Sequence, residues 1–392
     1  MYVPAYMHGE DKWYPVDTER SAYVFSAYFM KEKRKIFIIG VKQKRGVPLV
    51  CQFWIKQENS GNFTMEETGA EINVPLEQSN HRYRSIIFEC PFDSPHLPEF
   101  ISLGTRRCES PLNLLRVHNA TVPQRYERRF TVCLKPLHSH FGQVMELVEW
   151  FELNRILGAE KFIVYNFSTS VKVQQVLDYY SKRGLAEVVK WQLPLLIRKR
   201  IQKVADFVKF GQHASLNDCL FRNKHFSEFF IDTDVDEYLI PMSRHAMTWS
   251  DIIKTLKPDA HSYLFRNVFF RKEWKNKSLD FHQRRQAELL NLVTLQHFEH
   301  EKKTWPYKMR SKFIARTAKI DFAMVHFNPV VGEVNVPVGT GLLFHYRNWG
   351  NYSDKSERVT DDIVLKKFGD VLITNVQNIL KDLGQVDEYF IH

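Results

Sequence analysis

From Arg129 onward the chain alternates apolar runs with amphipathic segments, and this rhythm restricts its fold more than any other feature. RFTVCLKPL has the apolar, β-branched content of a buried strand. GQVMELVEWFELNRILG follows, with Val144, Leu147, Val148, Phe151 and Ile156 at helical spacing and Gly158 as a stop. Glu149 and Glu152 are expected on its polar face, and Trp150 and Phe151 in the core. KFIVYNF is the next strand, and SVKVQQVLDYYSKRG the next helix, opened by Ser170 and closed by Gly184. LAEVVKWQLP, SLNDCLFRNKH and SEFFIDTD continue as strand, helix and strand. Such alternation predicts βαβ units, a mostly parallel sheet and helices on its faces. TWSDIIKTLK then predicts a helix and SYLFRNVFFR one strand. KMRSKFIARTAKIDFAMVHF predicts two short strands, GLLFHYRNW another, and DDIVLKKFGDVLITNVQNILKDLG an outer amphipathic helix.

The chain before Arg129 has a different character. Ala22–Phe29, Lys35–Val41, Pro48–Ile55, Arg84–Cys90 and Glu99–Leu103 are short, rich in Val, Ile, Phe and Tyr, and separated by turn residues. They predict a small antiparallel domain over residues 1–105, joined by a weakly patterned linker, 106–128, to the α/β unit, 129–350. Residues 351–392 form a helical C-terminal extension on this reading.

Where SEFFIDTD ends, Asp232, Asp234, Asp236 and Glu237 crowd together. Acids this close repel one another unless a cation sits among them. Oxygen ligands suit a hard divalent ion such as magnesium or manganese, and alternate side chains of extended backbone point to one side. An EF-hand is excluded: its glycine position holds Glu237 and its final glutamate position Ser243. In open α/β sheets ligands bind beyond the carboxyl ends of strands, where these aspartates fall.

Charge fits an anionic ligand: the net charge is +10 and the sequence pI about 9.2. The basic runs, Lys31–Arg34, Arg198–Arg200 and Lys302–Lys303, are short and lack any nucleic-acid-binding motif, so no nucleic-acid partner is expected. Five cysteines without a CxxC pair argue against a zinc cluster and do not fix the compartment. His138/His140 and His297/His300 lack the glutamate of a zincin helix and are expected to be surface histidines. Sequons at Asn62, Asn119, Asn166, Asn276 and Asn351 hint at the secretory pathway. No stretch of about 20 apolar residues spans a membrane, and the N-terminus is not a signal peptide, so a lumenal protein would need a targeting segment outside this sequence.

Three blocks now resemble glycosyltransferase family 92. MELVEWFELNRILGAEKFIVYNFSTS is similar to its opening block, and HASLNDCLFRNKHFSEFFIDTDVDEYLIP to its second, with N-D-C-L-x-R and F-I-D-x-D-E. SKFIARTAKIDFAMVHF with GLLFHYRN resembles its C-terminal K-x-I, V-H and H-Y-R pattern. The resemblance covers about residues 20–350 and implies a GT-A fold, Rossmann-like with flanking helices. It also implies a UDP-galactose donor, a glycan acceptor, an inverting mechanism and a type II membrane protein of the Golgi lumen, whose anchor helix this sequence lacks. Carried across, Asp234 and Asp236 match the metal-binding D-x-D, and His345, with His326 as the second choice, would complete a manganese site. Asp232 lies one alternation earlier, so the extra aspartate permits a one-step shift of the metal-binding pair. Lys312 and Arg347 would hold the diphosphate. Lys135, Pro136, Leu137 and Asn166 would lie against the nucleoside, with Asp218 near the donor or holding the following strand. Glu299 and Glu301 are candidates for the base. The alternatives are a non-catalytic relative that binds nucleotide or glycan and, ranked lower, a metal-dependent nuclease or phosphatase.

Overall fold

The computed structural model describes residues 11–43, 48–57, 61–73, 83–194, 204–274, 279–350 and 357–384, with the backbone alone over 204–210. Arg198–Arg200 and the sequons at Asn276 and Asn351 lie outside the described residues.

The N-terminal third is a nine-stranded sheet. Its strands are β1 (Tyr14–Pro15), β2 (Ala22–Met30), β3 (Lys35–Gln43), β4 (Val50–Lys56), β5 (Phe63–Gly69), β6 (Glu71–Asn73), β7 (Tyr83–Pro91), β8 (Phe100–Gly104) and β9 (Leu115–Asn119). Their order is β5-β4-β8-β9-β2-β3-β7-β6, with β1 on β2. All pairings are antiparallel except β2 with β9. The stretch expected as a linker therefore contributes a strand. LRVHN is too short and too polar to announce one, and its pairing with β2 and β8 supplies what its pattern lacks. A disulfide joins Cys51 on β4 to Cys90 on β7.

The α/β region begins with β10 (Arg128–Leu137), α1 (Val144–Leu157), β11 (Lys161–Asn166), α2 (Val171–Lys182) and β12 (Ala186–Lys190). The backbone amide of Val173 donates to the Ser170 hydroxyl at the start of α2, and Gly158 and Gly184 take positive φ values of 121° and 70° at the helix ends. Next come α3 (Val204–Asn223), β13 (Ser227–Thr233), β14 (Glu237–Pro241), α4 (Trp249–Thr255), β15 (Ser262–Phe265) and β16 (Asn267–Arg271). The chain finishes with α5 (Arg284–Leu289), β17 (Glu299–Glu301), β18 (Lys312–Arg316), β19 (Glu333–Asn335), β20 (Gly341–Arg347), β21 (Arg358–Thr360) and α6 (Ile363–Asp382).

Two sheets result, ordered β12-β11-β10-β13-β18-β15-β19 and β14-β20-β16-β17-β21. The first is parallel from β12 to β13 and antiparallel around β18, so the architecture is α/β with mixed sheets. SYLFRNVFFR, expected as one strand, breaks at Arg266 and feeds both sheets. Of the two strands expected in KMRSKFIARTAKIDFAMVHF only β18 forms, followed by a 3₁₀ turn over Thr317–Lys319.

Period-two alternation divides the central sheet. Phe130, Val132, Phe162, Phe229 and Ile231 face α1, α2 and α6. Cys133, Ile163, Tyr165 and Phe230 face the other way, into a core that includes Leu216, Leu220 and Phe221 of α3. That core also contains Phe25, Tyr28, Phe37, Ile39 and Ile87 from the N-terminal sheet, so the two regions share one hydrophobic interior. A second disulfide, Cys133–Cys219, ties β10 to α3 across it. Helix α1 is buried on nearly every side because α6 packs on its outer face. Glu149 and Glu152, expected on a solvated face, are therefore fully buried. Glu149 accepts bonds from the Val293 and Thr294 amides and the Thr294 hydroxyl, and Glu152 from Arg155 and Tyr180. Trp150 and Phe151 are core residues.

Candidate active site

Strand β13 lies between β10 and β18, and all three bring charge to one end of the sheet. β10 runs parallel to β13, so Lys135 comes from its carboxyl end; β18 is antiparallel, so Lys312 is its first residue. Both ammonium groups reach Asp232, at 3.4 and 3.2 Å, and both reach Asp234, at 3.1 and 3.4 Å. Lys312 also meets Glu237 at 3.1 Å. Asp232 Oδ1 is buried and has no hydrogen-bond partner.

The turn after β13 moves the chain from one sheet to the other. It is closed by the Glu237 amide donating to the Asp234 carbonyl and by the Asp234 amide donating to the Glu237 carboxylate. Glu237 then opens β14 directly opposite His345 of β20. His345 Nε2 lies 3.3 Å from Asp236 Oδ2, and Nδ1 lies 3.3 Å from Glu237 Oε1 and 3.2 Å from the Asn267 amide. Phe269 packs 4.8 Å from the imidazole, centroid to centroid.

This charge density shifts proton affinities, as expected of a functional site. At Asp234 desolvation works upward, but Lys135 and Lys312 outweigh it and hold the carboxyl well below the usual range. Burial raises Glu237 despite Lys312. Burial lowers Lys312, and Asp232, Asp234 and Glu237 more than reverse this. Burial likewise works against a charged His345, yet Asp236 and Glu237 carry its pKa above the ordinary 6.5.

A cleft of about 290 Å³ opens onto the cluster. Lys135, Pro136, Leu137, Asp234, Asp236, His345 and Arg347, all expected at the site, line it, and so do Phe141, Gln212 and Val235, which no motif singles out. Other expected residues lie elsewhere. His326 faces the Ser311 carbonyl at 3.4 Å and is not among the lining residues. Asn166 donates to Thr169 and Gln174 at the start of α2. Asp218, expected near the donor, is fully buried on the opposite face of the sheet. It accepts from Tyr28 at 2.7 Å, Tyr165 at 2.6 Å, Arg222 at 3.1 Å and the Ser26 hydroxyl, which leaves no lone pair for a ligand. Glu301 is taken by Arg271 at 2.5 Å and Glu299 by Arg358 at 3.4 Å, and neither lines the cleft.

Among the described residues no group of three or more His, Cys, Asp or Glu side chains is gathered to hold a metal ion. A partial fit exists nonetheless. Adjacent ligands of an octahedral ion with bonds of ~2.1 Å stand about 3 Å apart. The Asp236–His345 pair, at 3.3 Å, has that spacing. Asp234, the third expected ligand, is turned toward the lysines.

Comparison with known proteins bears on this geometry. The family model described as "Glycosyltransferase family 92" matches residues 128–383. A Caenorhabditis elegans protein named beta-1,4-galactosyltransferase galt-1 is 27% identical over 240 residues, which are 57% of this chain and 52% of that protein. The chain thus spans about half the length of the curated relative it matches. Among solved structures, S. aureus TarS 1-349 in complex with UDP is 11% identical, with 67% of this chain and 72% of that one covered at a TM-score of 0.29. Mycobacterium tuberculosis glucosyl-3-phosphoglycerate synthase, crystallised with Mn²⁺, UDP-glucose and phosphoglyceric acid, is 14% identical, covering 66% and 80% at 0.29. The family model spans well over half of the sequence and takes in β10, the aspartate turn, Lys312 and His345; the chain belongs to glycosyltransferase family 92.

Proposed function

We propose that this chain is a metal-dependent, inverting GT-A transferase that moves galactose from UDP-galactose to a glycan. The carrying observation is the convergence of Lys135, Arg347 and the Asp236–His345 pair on one cleft at the carboxyl end of β13, with Lys312 buried against Asp234 behind it. Family membership and the galactosyltransferase relative support the donor and the sugar. Pro136 and Leu137 offer an apolar wall for the uridine, Lys135 and Arg347 offer positive charge to the diphosphate, and the buried Lys312 adds to the local positive charge. Asp236 and His345 would hold a divalent cation, manganese by the donor set, which would neutralise charge on the departing diphosphate. An acceptor hydroxyl attacks the anomeric carbon in line, its proton passes to a base on the acceptor side, and the bond to UDP breaks. The two disulfides and the sequons support work in the Golgi lumen as part of a type II membrane protein.

A second reading is a non-catalytic relative that binds nucleotide without metal. It is favoured by the lysines, whose ammonium groups already neutralise Asp232 and Asp234. One experiment separates the two. UDP and a panel of UDP-sugars are titrated by thermal shift with and without manganese, followed by a transfer assay on glycans. A transferase gives a manganese-enhanced UDP shift and turnover of UDP-galactose. UDP binding indifferent to metal, with no turnover of any donor, supports the second reading, and absence of any UDP shift sinks both.

A further inference from the structure

Beside Arg347, at the edge of the cleft, lies a cluster of arginine and indole. The Arg310 guanidinium lies over three rings, 5.1 Å from Trp305, 5.4 Å from Trp349 and 5.5 Å from Phe269. Arg347 lies 4.9 Å from the same Trp349. Phe269 and Trp349 are themselves in edge contact at 5.2 Å, and Phe269 packs on His345, so the cluster adjoins the proposed chemistry.

What sets this cluster apart is what the two arginines lack. Neither Arg310 nor Arg347 makes an ion pair or side-chain hydrogen bond among the described residues. The neighbouring Arg271, by contrast, is held by Glu301 at 2.5 Å. Two like charges therefore stand together without a direct ion pair, and burial and Arg347, only partly opposed by Glu301, lower the proton affinity of Arg310. Stacking on indole fixes the plane of a guanidinium without using its N–H groups, so the donors stay available for an anion. The Trp305 and Trp349 indole N–H groups also have no acceptor. Arg310 is held in the left-handed region, φ 57°, and so is Lys308, φ 68°. For arginine and lysine this costs energy that the surrounding structure must offset.

We propose that Arg310, stacked on Trp305 and Trp349 beside Arg347, forms the acceptor subsite and takes a glycan that carries an anionic group, a carboxylate or an acid ester. This rests on the transferase reading above. Donor phosphates have Lys135 and Arg347 in the cleft lining, whereas Arg310 is not among the lining residues. The second unpaired charge is therefore left for the other substrate.

The test uses the full chain and four probes in the presence of UDP: cellobiose with its uronic acid, and lactose with its sulfate ester. Binding is followed by calorimetry and tryptophan fluorescence. At least one acidic probe should bind about tenfold more tightly than its neutral partner, and Arg310→Gln should erase that difference while UDP affinity stays constant. The preferred acid identifies the anion as carboxylate or ester. Equal binding of acidic and neutral probes overturns the proposal, and so does a loss of UDP affinity in Arg310→Gln, which would assign the guanidinium to the donor. Failure of the unmodified protein to bind UDP strikes the transferase reading instead.

Discussion

Two buried carboxylates, Asp218 and Asp232, lie on opposite sides of the question of what a polar group inside a protein is for. Asp218 is closed: four donors occupy its two oxygens, and they come from both the N-terminal sheet and the α/β region. Burial holds the Tyr28 and Tyr165 hydroxyls well above their ordinary pKa, so they remain donors at neutral pH. Asp232 is open: it shares two lysines with Asp234, keeps one oxygen without a partner, and its neighbours Asp234 and Asp236 retain 37% and 28% side-chain exposure. A fully satisfied buried network orders a fold, whereas one left short of partners beside a cleft is shaped for something that arrives.

The largest expected effect comes from breaking the closed network. Asp218→Ala should cost about 3 kcal/mol or more, because it leaves Arg222 and three hydroxyls facing an uncompensated site. Chemical denaturation measures this loss, and UDP affinity per folded molecule should be unchanged. Asp236→Ala should do the reverse, lowering transfer by about 10²- to 10³-fold while stability moves by less than about 1 kcal/mol. Wild-type turnover in that variant would remove Asp236 from the mechanism. The smallest effect concerns pH. With its pKa raised above 6.5, His345 in its protonated form contributes stability that is fully present below 6.5 and fades as the pH climbs through the raised value. A divalent ion needs the neutral ring, so manganese affinity should increase over the same window, with proton release seen by calorimetry in buffers of different ionisation enthalpy. His345→Gln should flatten this profile. Asp218 lacks an imidazole partner, so Asp218→Asn should leave the pH profile intact.

The legible parts of the molecule were those whose signal is local. β10, α1, β11, α2 and β13 stand within a residue or two of their expected places, and β12 begins within a residue of its expected start but ends at Lys190, four residues short of the expected Pro194. The aspartate turn was legible for its density of like charge. What escaped was tertiary. The split of SYLFRNVFFR at Arg266 depends on two sheets diverging, which a single apolar run does not record. The burial of Glu149 and Glu152 depends on segments remote in the chain: Val293 and Thr294 bond Glu149, Tyr180 bonds Glu152, and α6, more than 200 residues away, packs on the same helix. Asp218 sits in a motif beside the donor region in sequence but on the far face of α3's sheet in space. Lys135 stood out only through the family. Its part in the cluster follows from β10 and β13 being parallel neighbours, a fact of topology rather than of pattern.

The interior shared by the two regions separates two units that are usually assumed to coincide. The segment that matches the family model is residues 128–383. Phe25, Tyr28, Phe37, Ile39 and Ile87 lie before that boundary yet fill the same core as Leu220, Phe230 and Phe313 beyond it. A truncation at the boundary would strip one wall from that core and remove two of the donors to Asp218. The unit of folding is therefore larger than the matched segment, and substitutions at the N-terminal sheet are constrained by its packing against that segment.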